Sequence, residues 1–239
     1  MTNKIKQKLS LYFKEKILNH YLIPFSRTEC EPALVKYLDR KKITYIDVGA
    51  STGEFAKKVE RYFGLKKAVL IDPISSLQKD NNLKNNKIFT EICALSNKRG
   101  TKKFNLYNFH YSSSLLKNLE NKIFKKQNKK FEGSQISVNV KTLDDVYQER
   151  FSGEAIDLLK IDVQGSELDV LKGGNTCLKN TNCIFLEISF QQIYQGSATF
   201  FEIDTFLRNK GFYLMSLSEG YRGPFNELLQ GDALYKRKK

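Results

Sequence analysis

From Ile43 onward, short apolar runs alternate with segments of helical periodicity, an order that leaves few folds open. Ile43 to Val48, Ala68 to Ile71, Ile88 to Ile92, Ile156 to Ile161 and Cys183 to Ile188 are rich in Ile, Val, Leu and Phe, as strands covered on both faces should be. Between the first two, Phe55, Val59, Tyr62 and Phe63 fall on one helical face, and Gly64 stops that helix. Phe200, Ile203, Phe206 and Leu207 mark a later helix ended by Gly211. Phe212 to Leu217 and Ala233 to Tyr235 read as a closing strand pair. The pattern predicts a Rossmann-like α/β domain over residues 41–239 with a mostly parallel sheet.

Two stretches depart from it. Residues 1–40 form an N-terminal extension: Ile5, Leu9, Phe13 and Ile17 recur every four residues among lysines, a basic amphipathic helix broken by Pro24, and Glu31 to Arg40 reads as a second short helix. Residues 101–141 are longer than a crossover needs, with strand-like pieces at Lys103 to Tyr107 and Ile136 to Val140 around a serine-rich turn and a lysine-rich stretch. Long excursions of this kind often border a functional site.

The length of 239 residues suffices for one core that buries roughly 70% of the unfolded surface. Cys30, Cys93, Cys177 and Cys183 show no C-x-x-C spacing and are expected to be reduced, structural thiols. No apolar run approaches the roughly 18 residues of a membrane span, and the start lacks a secretory signal, so a cytoplasmic protein is expected. The net charge of +14 invites a polyanionic partner, yet the lysines are spread along the chain rather than clustered. The basic N-terminal helix could place the protein on an anionic membrane surface at the inner face.

The stretch from Ile46 to Glu54 puts Asp47 at the end of the first strand, with Gly49 and Gly53 across a tight turn into a helix. Glycines there let backbone approach a ligand without Cβ interference. The D-x-G-x-x-x-G spacing differs from the G-x-G-x-x-G that receives a pyrophosphate. The second strand ends at Asp72, 23 residues after Gly49, where Rossmann-type folds hold a ribose through an acid. Alternatively, Asp47 and Asp72 merely end strands and cap turns.

Several pieces resemble the FkbM family of methyltransferases over about Lys42 to Lys236. They are Ile46-Asp47-Val48-Gly49-Ala50 with Gly53, Ala94-Leu95-Ser96, Ser112-Ser113-Ser114-Leu115, Thr142-Leu143-Asp144, Leu159 to Glu167, and Leu228 to Leu234. The block Lys160 to Glu167, followed by Val170-Leu171-Lys172-Gly173, is the most specific. The resemblance implies a class I methyltransferase fold, a seven-stranded sheet with its last strand antiparallel, and S-adenosyl-L-methionine as cofactor. It also implies O-methylation, usually of a sugar or other secondary-metabolite hydroxyl. Asp47, Gly49, Ala50, Gly53, Asp72, Ala94 and Asp162 become the expected cofactor contacts. Gln164 and Asp72 stand where many relatives carry Glu.

Methyl transfer to an alcohol requires alignment of the acceptor oxygen and removal of its proton. Asp162, at the end of the strand expected beside the first, is the leading base, with helix capping as its alternative role. Glu187 ends an apolar strand and is either catalytic or a buried acid paired with a neighbouring donor. His110, beside Tyr111 and the serines, could accept the proton or be incidental; His20, in the N-terminal helix, is read as incidental. No metal site is expected. The acceptor is expected to be a small molecule, glycan or glycolipid headgroup. RNA methylation is the runner-up, and a non-catalytic nucleoside- or partner-binding subunit is the third reading.

Overall fold

A computed structural model describes residues 30–38, 41–74, 86–107, 112–119 and 133–238. Thus the amphipathic segment expected upstream of Pro24, with His20, lies outside the described residues, as do His110 and all but the first three residues of the lysine-rich stretch from Lys117 to Lys130.

After α1 (Pro32–Tyr37), the chain runs β1 (Ile43–Val48), α2 (Glu54–Phe63), β2 (Leu65–Ile71) and β3 (Ile88–Glu91). It continues through β4 (Ala94–Leu95), β5 (Gly100–Tyr107), β6 (Gly133–Lys141), α3 (Leu143–Phe151), β7 (Ile156–Ile161), α4 (Glu167–Lys172) and α5 (Asn175–Lys179). The last elements are β8 (Thr181–Ser189), α6 (Phe200–Asn209), β9 (Phe212–Leu217) and β10 (Gln230–Arg237). Seven strands form one sheet in the order β3-β2-β1-β7-β8-β10-β9. The β3-β2-β1-β7-β8 ladders are parallel, and β10, the last strand in the chain, is antiparallel to both neighbours. Strand order reverses between β1 and β7, the switch point at whose carboxyl edge such sheets bind ligands.

All six residues of β1 and all six of β7 are buried, as their central places demand. One face of the sheet packs Val146, Tyr147, Val170, Leu171, Ile203 and Leu207 of α3, α4 and α6. The other packs Leu34 of α1 and Ala56, Val59 and Phe63 of α2 against Tyr45, Leu70, Phe185 and Leu234. Tyr62, expected on the buried face of α2, is 46% exposed, because the helix turns Ala56 inward instead. Helix α3 begins with a reciprocal capping box in which Thr142 accepts from the N–H of Asp145 and Asp145 accepts from that of Thr142.

Among the described residues, the excursion after β3 forms a second sheet, β4-β6-β5, with β6 parallel to β4 and antiparallel to β5. Strand β5 starts earlier than the expected piece and ends with it at Tyr107, and β6 extends the other expected piece at both ends. Ala94, Phe104, Val138 and Val140 make a small apolar cluster, with Ile74 and Leu115 packed against it. This layer stands at the carboxyl edge of β2 and walls one side of the site. All four cysteines are free and buried, in keeping with the expected structural role.

Candidate active site

A cavity of about 260 Å³ opens at the switch point, and Gly49, Asp72, Ala94, Asp162 and Glu187 all line it. Phe104, Ser113 and Leu115 of the excursion line it as well, so that segment borders the site. Asp47, Ala50 and Gly53 do not reach the cavity. Ala50 packs into the core beneath α1 and α2, and Gly53, at φ +76°, supplies the left-handed residue that starts α2.

Asp47 is wholly buried below the cavity floor. Its Oδ2 accepts from the Tyr45 hydroxyl at 2.7 Å, and its Oδ1 lies 3.2 Å from Lys160 Nζ across the β1–β7 ladder. The same ammonium is 3.6 Å from Asp162 Oδ2 and donates to the Gly49 carbonyl at 3.3 Å. The Phe55 ring, 5.3 Å away, covers it further. Burial would push the proton off Lys160, but Asp47 and then Asp162 outweigh it and raise the amine's pKa. Burial and Asp47 hold the Tyr45 phenol well above its usual range. Asp47 therefore fixes Lys160, and Lys160 in turn fixes the motif turn and Asp162.

Gly49, at φ +79°, faces β7 as well as the cavity: a Cβ there would lie 1.8 Å from the Asp162 carbonyl oxygen. Its bareness is required by the neighbouring strand before any ligand enters. Gly165 also has no space beside it: a Cβ there would meet Tyr194 Cβ at 2.8 Å, so the position is filled by protein. The serine run is likewise divided. Ser113 lines the cavity, whereas Ser114 is fully buried and donates to the Gln164 carbonyl at 2.7 Å, tying the excursion to the turn after β7.

Asp72 lines the cavity with only 7% of its surface exposed. One carboxylate oxygen accepts from the N–H of Ser51 at 2.9 Å and the other from that of Ile74 at 2.8 Å. Burial raises its pKa, and these two donors oppose the rise. Each oxygen retains a lone pair, enough for the two hydroxyls of a ribose. Ser166 Oγ, in the same wall, is buried with no hydrogen-bond partner among the described residues. A buried carboxylate with spare acceptor capacity and an orphaned hydroxyl fit a nucleoside carrying several donors and acceptors.

At the other end of the cavity stand Asp162 and Glu187, joined by Gln164. The Gln164 amide donates to Asp162 Oδ1 at 2.9 Å and to Glu187 Oε2 at 3.1 Å, while Gln230 donates to the same Glu187 oxygen at 2.8 Å. Burial first, then Asp162, Glu167 and Asp232, push the Glu187 carboxyl well above its usual range. Asp162 is not a helix cap, since α4 begins after Ser166, and its side chain is 37% exposed. No group of three or more His, Cys, Asp or Glu among the described residues is arranged to hold a metal ion.

Glu167 secures the turn between these acids and α4 by accepting from the N–H groups of Val163 at 3.1 Å and Gly165 at 3.0 Å. Burial raises its pKa to about 7. The folded state therefore holds a proton that the unfolded chain releases near pH 4.5, and stability falls as pH rises from about 4.5 to about 7. The whole effect is on the order of 3 kcal/mol. Glu167→Gln keeps an oxygen for both donors and cannot ionise, so its urea midpoint should decline less between pH 5 and pH 8 than that of the unaltered protein. Identical declines would show that Glu167 does not titrate in that window.

Lys160, Tyr194 and Gln230 were not singled out as parts of the site from sequence, and Gln164 was noted only as a departure from the family pattern. Only Lys160 left a signal: a lone cation inside Leu158-Leu159-Lys160-Ile161, a buried strand, requires an acid within reach.

The methyltransferase FkbM domain matches residues 47–214. A stretch of 67 residues is 45% identical to 2-O-methyltransferase NoeI of Sinorhizobium fredii, covering 28% of this chain and 27% of that protein. Over 152 residues the chain is 30% identical to methyltransferase sdnD of Sordaria araneosa, covering 54% of this chain and 59% of that one. The chain thus spans less than two thirds of either curated relative. The crystal structure of methyltransferase FkbM from Methylobacillus flagellatus superposes with a TM-score of 0.52 at 16% identity, covering 82% of this chain and 43% of that one, and so shares its fold. With the switch-point cavity, the buried carboxylate of Asp72 and a domain match over most of its length, this chain belongs to the FkbM family of methyltransferases, enzymes that use S-adenosylmethionine.

Proposed function

We propose that the enzyme O-methylates a hydroxyl of a sugar, glycan or glycolipid headgroup, with S-adenosylmethionine held by Asp72, Gly49 and Ala94. The observation that carries this reading is the acidity of the cavity's far end, where Asp162 and Glu187 stand with Asp232 paired beside Glu187 on β10. Carboxyl groups bind hydroxyls and can take their protons, and as acceptors they offer nothing to the phosphate oxygens of a polyanion. That polarity favours a neutral polyol over RNA despite the net charge of +14. Similarity to a 2-O-methyltransferase over 67 residues supports the same choice.

Bound S-adenosylmethionine would supply the methyl group to the acceptor oxygen, and Asp162 would take the hydroxyl proton. Lys160 holds that carboxylate in place, and the wall of Phe104 and Leu115 excludes water. In this reading the basic N-terminal segment brings the enzyme to an anionic membrane surface when the acceptor is a glycolipid. No helix among the described residues is long and apolar enough to cross a membrane.

The test is mass spectrometry of glycosides, glycolipids and RNA after incubation with methyl-labelled S-adenosylmethionine. The label is expected on a glycan oxygen; label on RNA alone would replace this reading with the nucleic-acid one.

A further inference from the structure

We infer that Gln164 is a positioning residue whose amide holds Asp162 and Glu187 as a two-point seat for an acceptor with two neighbouring oxygens, as in a vicinal diol. The inference rests on the O-methylation reading. Its basis is an amide whose hydrogen-bonding capacity is engaged on both sides. Both N–H bonds are used, one on Asp162 Oδ1 at 2.9 Å and one on Glu187 Oε2 at 3.1 Å. The amide oxygen accepts from the Tyr194 hydroxyl at 2.7 Å. An amide with a hydroxyl donor on one side and two carboxyl acceptors on the other has a single orientation that satisfies all three. The backbone is equally fixed: Gln164 sits at φ +57°, and its carbonyl receives the Ser114 hydroxyl at 2.7 Å. A non-glycine residue in the left-handed backbone region persists where its surroundings over-determine it, and such positions cluster at active sites.

The two acids are held in unlike states. Lys160 pairs with Asp162 at 3.6 Å, which suits a carboxylate that takes a proton. Burial, together with the nearby acids Asp162, Glu167 and Asp232, outweighs Lys160 and raises the Glu187 carboxyl well above its usual range. Its Oε2 already accepts from Gln164 and Gln230, so the proton belongs on Oε1, which has no hydrogen-bond partner among the described residues. Glu187 also lines the cavity. The site then offers an acceptor one carboxylate for the reacting hydroxyl and one carboxylic O–H for an oxygen beside it. A glutamate in place of Gln164 would add a third acid and lose both donations.

Two measurements decide the matter. The first needs no acceptor: carboxyl carbons of the 13C-glutamate-labelled enzyme, loaded with S-adenosylhomocysteine, are titrated by NMR, and Glu187 is assigned by its loss in Glu187→Gln. Its signal should stay in the acid form where surface glutamates have ionised. Gln164→Leu, which removes a donor from that carboxyl, should raise its midpoint by about half a unit or more. The Tyr194 hydroxyl keeps the Ser112 carbonyl at 3.2 Å as an acceptor, so it is not left unpaired by the substitution. An unmoved midpoint in folded Gln164→Leu overturns the positioning role. The second measurement compares a methylated methyl glycoside with its analogue lacking the adjacent hydroxyl. The deoxy compound should show a KM raised about tenfold in the unaltered enzyme, with little difference in Gln164→Leu. Equal KM values in the unaltered enzyme overturn the diol seat. If no glycoside is methylated while S-adenosylhomocysteine binds, the O-methylation reading fails and takes the seat with it, whereas the NMR result still judges Gln164.

Discussion

Asp162→Asn is expected to lower turnover at least about a hundredfold while leaving the affinity for S-adenosylmethionine within a few-fold of the unaltered enzyme. The asparagine oxygen can still accept from Gln164, and the side chain occupies the same volume, so the turn after β7 is retained. What disappears is the basic oxygen 3.6 Å from Lys160. Loss of a proton acceptor is felt in the transition state and not in cofactor binding, which separates this prediction from one of general damage. Single-turnover methyl transfer to the best glycan acceptor, with cofactor affinity measured in parallel, checks it. Near-normal turnover would pass the role to Glu187, to His110 or to water.

Lys160→Met should cost about 3–5 kcal/mol of stability, because it leaves the wholly buried Asp47 without a counter-charge. Methionine fills the volume of the lysine stem, and its thioether can pack on Phe55, so a cavity does not account for the loss. The penalty belongs to the uncompensated charge. Adding Asp47→Asn should therefore recover a good part of it, since the amide still accepts from Tyr45 and carries no charge. Urea unfolding of the two variants measures both effects. A loss below about 1 kcal/mol for Lys160→Met would mean that water reaches Asp47 and that the pair is not the keystone beneath the motif.

The parallel sheet was legible because central strands buried on both faces leave unbroken apolar runs, as Ile43 to Val48 and Ile156 to Ile161 do. The second sheet was read only in fragments. In β5 only Phe104 is buried, so most of that strand is polar or half-exposed and its pairing with β6 leaves little trace in the sequence. Helix α3 was overlooked although Leu143, Val146, Tyr147 and Phe151 have helical spacing and Thr142 with Asp145 forms a cap, because Thr142-Leu143-Asp144 was read as a family motif alone. Among the site residues, Asp72 and Asp162 were found because they end parallel strands at a switch point, a position fixed by topology. Asp47 shares that description yet lies under the floor. Whether a strand-end acid rises toward a ligand or sinks toward a cation depends on the residue across the ladder, and only the register placed Lys160 there. Gln164 drew notice as a departure from the family pattern; its two acidic partners come from different strands, which sequence spacing does not display.

Calorimetric titration of S-adenosylmethionine into the unaltered protein and into Asp72→Ala decides whether the cavity bounded by Gly49, Asp72 and Asp162 is the cofactor site. Asp72 offers charged acceptors to the ribose and holds the Ser51 and Ile74 backbone around it. Its removal should weaken binding roughly ten- to a hundredfold, the range of about 1.5–3 kcal/mol for hydrogen bonds to a charged group. Unchanged affinity in folded Asp72→Ala would place the cofactor outside this cavity.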